Sequence, residues 1–289
     1  MLDLTVVIPV RNEAANLPGC LAALGREFAR RVVVLDSGST DRTKEIASAW
    51  GAEVFDFQWD GKFPKKRNWF LRNHPPQTTW VLFLDADEYV TPSFKSALIP
   101  ALSDETKVGY WLSYTIHFLG SELTRGYPLR KLALFRVGAG EYEKINEDHW
   151  SQLDMEVHEH PVLDGEVGVI SEKIDHQDFR GVSHYVAKHN DYSSWEAHRF
   201  LESADDLRLR AGWTTRQKLK YRLMRTPLVG VIYFVGTFVF MGGFRDGARG
   251  LAFAILKMAY FTQVYCKIRE LEATRQKDRM ATAETVPAT

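Results

Sequence analysis

The residues best suited to chemistry are Asp85 and Asp87, an acidic pair directly after the apolar run of residues 80–84. Residues two apart in a strand point to the same face, and two carboxylates held close together repel unless a cation, a proton or hydrogen-bond donors lie between them. Mg²⁺ and Mn²⁺ prefer oxygen ligands, and Mg²⁺ is commonly shared between carboxylates and substrate phosphates. The pair therefore predicts a divalent-cation site, although a lone Asp-x-Asp is also typical of a solvated turn.

Two earlier apolar runs, residues 4–10 and 32–35, also end in polar loops. Runs of this kind predict strands that are buried on both faces. A predicted helix follows each of them, and strands alternating with helices are typical of a parallel sheet in an α/β fold. Ligands bind outside the carboxyl ends of such strands, so we expect Glu13, Asp36 and the acidic pair along one edge of the sheet.

The overall composition limits the class of protein. The chain has 289 residues, which suffices for one large domain with an appendage. Its 37 lysine and arginine residues balance 37 aspartate and glutamate residues, so no excess of positive charge favours nucleic acid as a partner. Cys20 and Cys266 are far apart, as expected of free thiols in a reducing compartment. Because no signal-peptide pattern precedes the first strand, we expect a cytosolic enzyme.

Three motifs taken together resemble one family of enzymes. They are Val6-Val7-Ile8-Pro9-Val10-Arg11-Asn12-Glu13, Asp36-Ser37-Gly38-Ser39-Thr40-Asp41 and Asp85-Ala86-Asp87. Their order and separation are similar to those of the nucleotide-sugar-dependent glycosyltransferases of family 2. The resemblance implies a GT-A fold, in which a Rossmann-like, mostly parallel sheet is flanked by helices, and we expect this catalytic domain to span residues 1–205.

The resemblance also implies roles for individual residues in binding a UDP-sugar. Asp87 would ligate a divalent cation, Mg²⁺ or Mn²⁺, and His176 is a second metal-ligand candidate, with a structural histidine as the alternative. Such an ion neutralises charge that develops on the leaving nucleoside diphosphate. Lys65 and Lys66, beside Arg67, either contact phosphate or form a solvated helix face. The donor-binding residues implied by the resemblance are Pro9, Arg11, Glu13, Asp36, Arg67 and Asp85.

The segment Val157-His158-Glu159 resembles the motif at the catalytic-base position of a bacterial subgroup that builds the lipopolysaccharide core. An inverting transferase needs a carboxylate to remove the proton of the acceptor hydroxyl as it attacks the anomeric carbon. Glu159 is the expected base, with Glu156 and Asp148 as alternatives. Alternation along a strand puts Val157 on the same face as Glu159, where it would raise the pKa of that carboxyl. Candidate platforms for acceptor sugars are the aromatic residues Trp111, Tyr114 and Tyr127, which can equally belong to the core.

The C-terminal third has the composition of a membrane-associating region. Residues 207–225 carry seven basic and no acidic side chains, and residues 226–244 contain no charged residue. As one helix, the uncharged stretch would be roughly 28 Å long, against about 30 Å of hydrocarbon in a bilayer. Positive charge on both flanks favours a re-entrant or in-plane anchor over a single span, and a buried helix of a soluble core is the third alternative. We expect a helical membrane-associating region at 206–275 and a disordered tail at 276–289.

The element Gly243-Phe244-Arg245-Asp246-Gly247-Ala248-Arg249-Gly250 is also similar to one in the lipopolysaccharide-core subgroup. Taken together, the resemblances imply an inverting, metal-dependent enzyme that transfers a hexose from a UDP-sugar. Glucose is the expected hexose. The expected acceptor is a glycolipid or the lipopolysaccharide core, at the cytoplasmic face of the inner membrane. The alternatives are a sugar nucleotidyltransferase, a glycosyltransferase for another envelope polysaccharide or lipid carrier, and a non-catalytic carbohydrate-binding protein.

Overall fold

The computed structural model describes residues 1–145, 150–151, 153–154, 160–177, 180–205 and 215–284. The chain forms two compact units, of which the first contains Met1–His117 and Pro128–Asp178 and the second contains Phe118–Tyr127 and Phe179–Thr289. The short segment 118–127 thus interrupts the first unit in sequence. The predicted catalytic domain includes Gly181–Asp205, whereas this helix groups with the second unit in the structure.

An eight-stranded sheet forms the centre of the first unit, with the strand order β3-β2-β1-β4-β9-β6-β12-β5. Parallel pairing joins β1 to β2 and β4, β2 to β3, and β6 to β12, whereas β9 runs antiparallel to both β4 and β6. The predicted α/β class with a mostly parallel sheet is therefore confirmed. The twelve strand segments described in the chain are β1 Leu2–Val10, β2 Ala29–Asp36, β3 Glu53–Asp56, β4 Trp80–Phe83, β5 Glu88–Tyr89, β6 Lys107–Tyr114, β7 His117–Phe118, β8 Ser121–Glu122, β9 Leu129–Arg136, β10 Gly140–Tyr142, β11 Pro161–Leu163 and β12 Glu166–His176.

The central strand β1 is buried on both faces because its side chains from Leu4 to Val10 are apolar except for Thr5, whose hydroxyl is hydrogen-bonded to that of Thr78 at 2.7 Å. Val6 and Ile8 pack into one hydrophobic core with Leu21, and Val7 packs into a second core with Phe70. These two cores lie on opposite faces of the sheet, since successive side chains of a strand alternate. Full burial of a Val, Leu or Phe side chain contributes roughly 1.5–3 kcal/mol, so the two cores hold β1 in place. The helices of the first unit are α1 Leu17–Leu24, α2 Thr43–Trp50, α3 Lys66–Asn73 and α4 Pro92–Ser103.

The second unit is helical. Its uncharged stretch forms a short α-helix and a π-helix of six residues each, which together rise roughly 18 Å, well below the hydrocarbon thickness of about 30 Å. The chain then turns at Gly242, whose φ of 76° favours glycine. The helical segments of this unit are α5 Gly181–Asp205, α6 Thr215–Leu223, α7 Val229–Phe234, the π-helix Val235–Phe240, the 3₁₀-helix Gly243–Asp246 and α8 Gly247–Glu284.

Within the described residues, the segment Gly243–Lys277 is the one helix that is long and apolar enough to cross a bilayer, with 33% of its most apolar window buried. Length and composition alone are weak grounds, because the core helix of a soluble protein passes the same test. Helix α8 continues to Glu284, so residues 276–284, predicted to be part of a disordered tail, are helical. Residues 285–289 lie outside the described part of the chain.

The glycine-rich element at 243–250 has a structural explanation inside the second unit. The Asp246 carboxylate accepts hydrogen bonds from the backbone N–H groups of Thr124 at 3.1 Å and Arg125 at 3.0 Å. Burial would raise the pKa of Asp246, but hydrogen bonds from the Thr124 hydroxyl and from these two N–H groups lower it below its ordinary value. A Cβ atom on Gly250 would lie 2.0 Å from the carbonyl oxygen of Gly243, so a side chain does not fit at this position. The element therefore holds segment 118–127 against the start of α8.

Candidate active site

The predicted polar residues of the first unit lie at one edge of its sheet. In the parallel register, Val10 at the end of β1 pairs with Asp36 at the end of β2, and Val7 pairs with Phe83 at the end of β4. The backbone N–H of Leu84 continues this ladder by donating to the carbonyl of Val7 at 3.0 Å. The loops that follow β1, β2 and β4 therefore leave the sheet on the same side, where a ligand of an α/β sheet binds.

Asp85 is held by two cationic side chains. Lys131 Nζ contacts Asp85 Oδ2 at 2.6 Å, and Arg67 Nη2 contacts Asp85 Oδ1 at 3.1 Å. Lys131 also donates to the carboxylate of Glu88, which is 1% exposed and accepts the backbone N–H of Asp85 at 3.0 Å. Burial would lower the pKa of Lys131, but Asp85 and Glu88 raise it well above its ordinary value, so the amine stays protonated. The network fixes the orientation of the Asp85 carboxylate.

Asp87 lies beside His176, and both are predicted metal ligands. Asp87 is 7% exposed, and its Oδ2 is 3.6 Å from His176 Nε2. The end of β12 is fixed here because the Gln177 N–H donates to the Asp87 carbonyl at 2.9 Å and His176 pairs with Glu88 in the antiparallel β5 ladder. Burial would lower the pKa of His176, but Asp87 raises it above its ordinary value. Because a metal-bound histidine must be neutral, cation binding here would release a proton.

The donor set fits a cation that is shared with a substrate. No group of three His, Cys, Asp or Glu side chains close enough to hold a metal ion is found in the described part of the chain. Asp87 and His176 would supply one oxygen and one nitrogen, and the remaining ligands would come from phosphate oxygens and water, which is the usual way in which Mg²⁺ sites with few protein ligands are completed. The pair fits such an ion but does not form a closed protein site.

The basic residues at the start of α3 are buried. Lys65, Lys66 and Arg67 are 5%, 2% and 8% exposed, so the alternative of a solvated helix face is wrong. Lys66 Nζ is 3.4 Å from the carbonyl oxygen of Val10 and 3.3 Å from Asp154 Oδ2. The β1 carbonyl at the sheet edge is thus already in contact with a cation.

The first two loops are joined to each other. Asn12 has a φ of 56°, a left-handed conformation that asparagine tolerates, and its Oδ1 accepts the Thr40 N–H at 2.8 Å. Asp36 is fully buried, and its Oδ2 accepts the N–H groups of Gly38 and Ser39, both at 2.9 Å. In this structure the Asp36 carboxylate therefore organises the loop that follows it, and a direct contact with the nucleoside stays a prediction.

The remaining predicted residues of this edge differ in exposure. Pro9 is buried, Arg11 is exposed, and Glu13 is half-buried, with its Oε2 accepting the side-chain amide of Asn16 at 2.7 Å. Tyr114 is 3% exposed and packs in the core with Lys131 Nζ 5.2 Å from its ring centre, so it is not a sugar platform. The candidate bases Glu159, Glu156 and Asp148 lie outside the described residues.

Two residues of the acidic cluster carry no predicted role, namely Lys131 and Glu88. Lys131 lies in strand β9, and Glu88 directly follows the Asp85–Asp87 pair. The signal that could have identified Lys131 is its position directly before the buried apolar run Leu132–Phe135, where a lysine is rarely found without a partner. Its partners lie 46 and 43 positions away in sequence, so sequence alone does not identify them.

Replacing Lys131 by methionine is expected to destabilise the protein by about 3–5 kcal/mol, because removal of one partner leaves a buried charge without compensation. The free energy of unfolding in urea measures the effect. Arg130→Met is the matched control, since Arg130 is an exposed neighbour on β9, and surface changes usually stay within roughly 0.5 kcal/mol. Adding Glu88→Gln to Lys131→Met should recover part of the loss. If Lys131→Met and Arg130→Met had the same free energy of unfolding, the proposed pairing of Lys131 with the acidic residues would be contradicted.

Comparison with known proteins identifies similar sequences. The profile described as "Glycosyl transferase family 2" matches residues 5–153, just over half of the chain. The lipopolysaccharide core biosynthesis glycosyltransferase LpsC of Rhizobium meliloti is 27% identical over 286 residues, which are 96% of this chain and 95% of that protein. A 4,4'-diaponeurosporenoate glycosyltransferase of Staphylococcus haemolyticus is 34% identical over 90 residues, 29% of this chain and 24% of that protein.

Among solved structures, the chain is similar to glucosyl-3-phosphoglycerate synthase from Mycobacterium tuberculosis, crystallised with Mn²⁺ and UDP-glucose. The identity is 28%, and the match covers 38% of this chain and 43% of that chain, with a TM-score of 0.32. The chain thus spans less than half of that enzyme.

Proposed function

The chain belongs to glycosyl transferase family 2 and is a nucleotide-sugar-dependent glycosyltransferase, and from this premise we propose that it transfers a hexose from a UDP-sugar to a lipopolysaccharide-core or other glycolipid acceptor. Glucose is the proposed sugar. The observation that carries the proposal is the cluster of Asp85, Asp87 and His176 at the carboxyl edge of the sheet, where Asp87 and His176 lie 3.6 Å apart.

The cluster supports a division of roles between its members. Asp87 and His176 would hold Mg²⁺ or Mn²⁺, which when bound supplies positive charge to the leaving diphosphate. Asp85, fixed by Lys131 and Arg67, would accept hydrogen bonds from ribose or sugar hydroxyls. Its orientation is set before the donor arrives, so little ordering is needed on binding. Pro9, Arg11, Glu13 and Asp36 remain the proposed lining of the base and ribose pocket.

The transfer itself needs a proton acceptor on the acceptor side. We assign this role to Glu159, with Glu156 and Asp148 as alternatives. The carboxylate would remove the hydroxyl proton as that oxygen attacks the anomeric carbon from the face opposite the diphosphate. Attack from that face inverts the configuration, so an α-linked donor would give a β-linked product.

Action on a lipid-linked acceptor is supported by the second unit. Phe240, Phe244 and Met241 are exposed by 83%, 51% and 44%, beside the exposed Arg245 and Arg249. Apolar side chains next to arginine are typical of segments that lie in the interface of an anionic membrane. The homologue LpsC is named for lipopolysaccharide core biosynthesis. We therefore propose peripheral or re-entrant association with the cytoplasmic face of the inner membrane, with residues 206–275 as the membrane-associating region.

Donor choice can be tested by thermal unfolding with UDP-, GDP- and dTDP-sugars, each with Mn²⁺ and with chelator. UDP-glucose with Mn²⁺ is expected to give the largest stabilisation, because a ligand at 100 times its dissociation constant adds about 2.7 kcal/mol. Equal shifts with and without Mn²⁺ would contradict a shared-cation site. Stronger stabilisation by GDP- or dTDP-sugars would contradict the proposed nucleotide.

The alternative of a sugar nucleotidyltransferase is disfavoured by the first loop. Such an enzyme normally has a glycine-rich phosphate loop after the first strand, whereas Pro9-Val10-Arg11-Asn12-Glu13 contains no glycine. Release of pyrophosphate from UTP and glucose 1-phosphate would favour that alternative, and release of UDP from UDP-glucose favours the transferase.

A further inference from the structure

Thr115, the residue after β6, is bonded to three consecutive residues at the end of β12. Its backbone N–H donates to the carbonyl oxygen of Ile174 at 3.0 Å. Its hydroxyl donates to Asp175 Oδ1 at 2.6 Å and accepts the backbone N–H of His176 at 3.0 Å. The pairing of β6 with β12 ends at Tyr114 and Ile174, so the Thr115 side chain extends the connection between these strands by one residue.

The orientation of the Thr115 hydroxyl is fixed by its two partners. A backbone N–H can only donate, so the hydroxyl oxygen accepts from His176 and its own proton is directed at Asp175. The Asp175 carboxylate is held in turn from two other directions. Its Oδ1 is 2.7 Å from His117 Nε2, and its Oδ2 accepts the side-chain amide of Gln177. The hydroxyl therefore belongs to a fixed network at the end of β12.

The backbone of His176 is held on its other side by β5, because β12 lies between β6 and β5 in the sheet. His176 pairs there with Glu88, and the N–H of Gln177 donates to the carbonyl of Asp87 at 2.9 Å. The imidazole that projects from this backbone places Nε2 at 3.6 Å from Asp87 Oδ2. Loss of the Thr115 hydroxyl would leave the His176 backbone held from the β5 side alone, so the separation of the two side chains would be less well defined.

We propose that Thr115 is a positioning residue for the divalent cation, because its hydroxyl fixes the backbone from which the His176 imidazole projects. The inference rests on the proposed function, in which Asp87 and His176 are the protein ligands. With so few protein ligands, the affinity for the cation depends strongly on the geometry of each. Residues that hold metal ligands in place typically contribute about 10–100-fold to metal affinity. Thr115 contributes at the lower end of this range, since it acts on the backbone of His176 and not on its ring.

Thr115→Val tests this role, because valine has nearly the shape of threonine but no hydroxyl. Binding of UDP to the full chain is measured by calorimetry over a series of Mn²⁺ concentrations and again with chelator. Thr115→Val is expected to raise the Mn²⁺ concentration that gives half of the maximal UDP affinity by about tenfold. The affinity for UDP in chelator should be unchanged, since the metal ligands do not act there. Thr115→Ser keeps the hydroxyl and should restore the Mn²⁺ dependence of the unmodified chain.

Thr106→Val is the matched control. Thr106 is exposed just before β6, at the end of the strand opposite to Thr115, and its hydroxyl donates to Asp104 Oδ1 at 2.6 Å. The control removes the same kind of hydrogen bond from the same unit, so it should leave the Mn²⁺ dependence unchanged.

Amide hydrogen exchange without metal shows separately whether the hydroxyl holds the backbone. Exchange in the segment 174–177 should be faster in Thr115→Val than in the unmodified chain, and unchanged in Thr115→Ser and Thr106→Val. Faster exchange together with an unaltered Mn²⁺ dependence would overturn the proposal, because Thr115 would then support the strand without acting on the cation site.

Metal-dependent hydrolysis of UDP-glucose separates this inference from the proposed function. Thr115→Val should regain the rate of the unmodified chain at saturating Mn²⁺, because both metal ligands are still present. If the unmodified chain responds to Mn²⁺ and Thr115→Val responds in the same way, the positioning role alone fails. If neither Mn²⁺ nor Mg²⁺ changes UDP binding or hydrolysis in the unmodified chain, the cation site of the proposed function fails, and the role of Thr115 fails with it.

Discussion

Asp87→Asn is expected to lower sugar transfer by about a hundredfold or more, as loss of a metal ligand usually does. The carboxylate lies 3.6 Å from His176 in a position that is 7% exposed. An amide keeps the shape of the side chain but removes its negative charge, so the cation would bind more weakly and donate less charge to the diphosphate. Initial rates over a series of Mn²⁺ concentrations should show a higher half-saturating concentration as well as a lower plateau.

Asp164→Asn is a suitable control for that experiment, because Asp164 is exposed in the turn before β12. It removes the same charge from the same unit and should leave the rate and the metal dependence unchanged. Turnover of Asp87→Asn at the rate of the unmodified enzyme, with the same Mn²⁺ dependence, would exclude Asp87 as a ligand.

Glu159→Gln is likewise expected to lower transfer by about a hundredfold or more, since a general base typically contributes 10²–10⁴-fold. Stabilisation by UDP and Mn²⁺ should be retained in this variant, because the base acts on the acceptor and not on the donor. Rates measured with acceptor present, together with thermal unfolding with donor alone, would distinguish the two effects.

The same assay discriminates between the candidate bases. Glu156→Gln and Asp148→Asn should have smaller effects than Glu159→Gln, and Glu172→Gln, an exposed residue of β12, should have none. Turnover of Glu159→Gln like that of the unmodified enzyme would transfer the role to whichever of Glu156 and Asp148 proves sensitive.

The first strands could be predicted from sequence because their signal is local. The apolar runs at 4–10, 32–35 and 80–84 correspond to β1, β2 and β4 within a few residues. The strand β12 has no such signal, since only Ile170 and Ile174 of its eleven residues are buried. The position of β9 between β4 and β6 depends on long-range pairing, so the order of the sheet could not be predicted from local patterns either.

The acidic residues of the site were predictable because each follows a strand of the parallel sheet. The contacts that hold them were not. Lys131 joins Asp85 and Glu88 from an antiparallel strand that enters the sheet only after a long connection. Asp36 is a further case, because the sequence shows an acid after a strand but not that Gly38 and Ser39 of the next loop already donate hydrogen bonds to its Oδ2 atom. Burial and pairing are properties of the assembled sheet.

The segment 118–127 has a consequence for the order in which the second unit is completed during translation. Its Thr124 and Arg125 are fixed by Asp246, which lies 122 positions after Thr124. At a synthesis rate of about 5–20 residues per second, that partner emerges roughly 6–24 s later. Until then, segment 118–127 has no anchor, although strands β6 and β9 on either side of it can already pair. A single cut of the gene therefore cannot separate the two units. A truncation between segment 118–127 and Asp246 leaves that segment without its anchor.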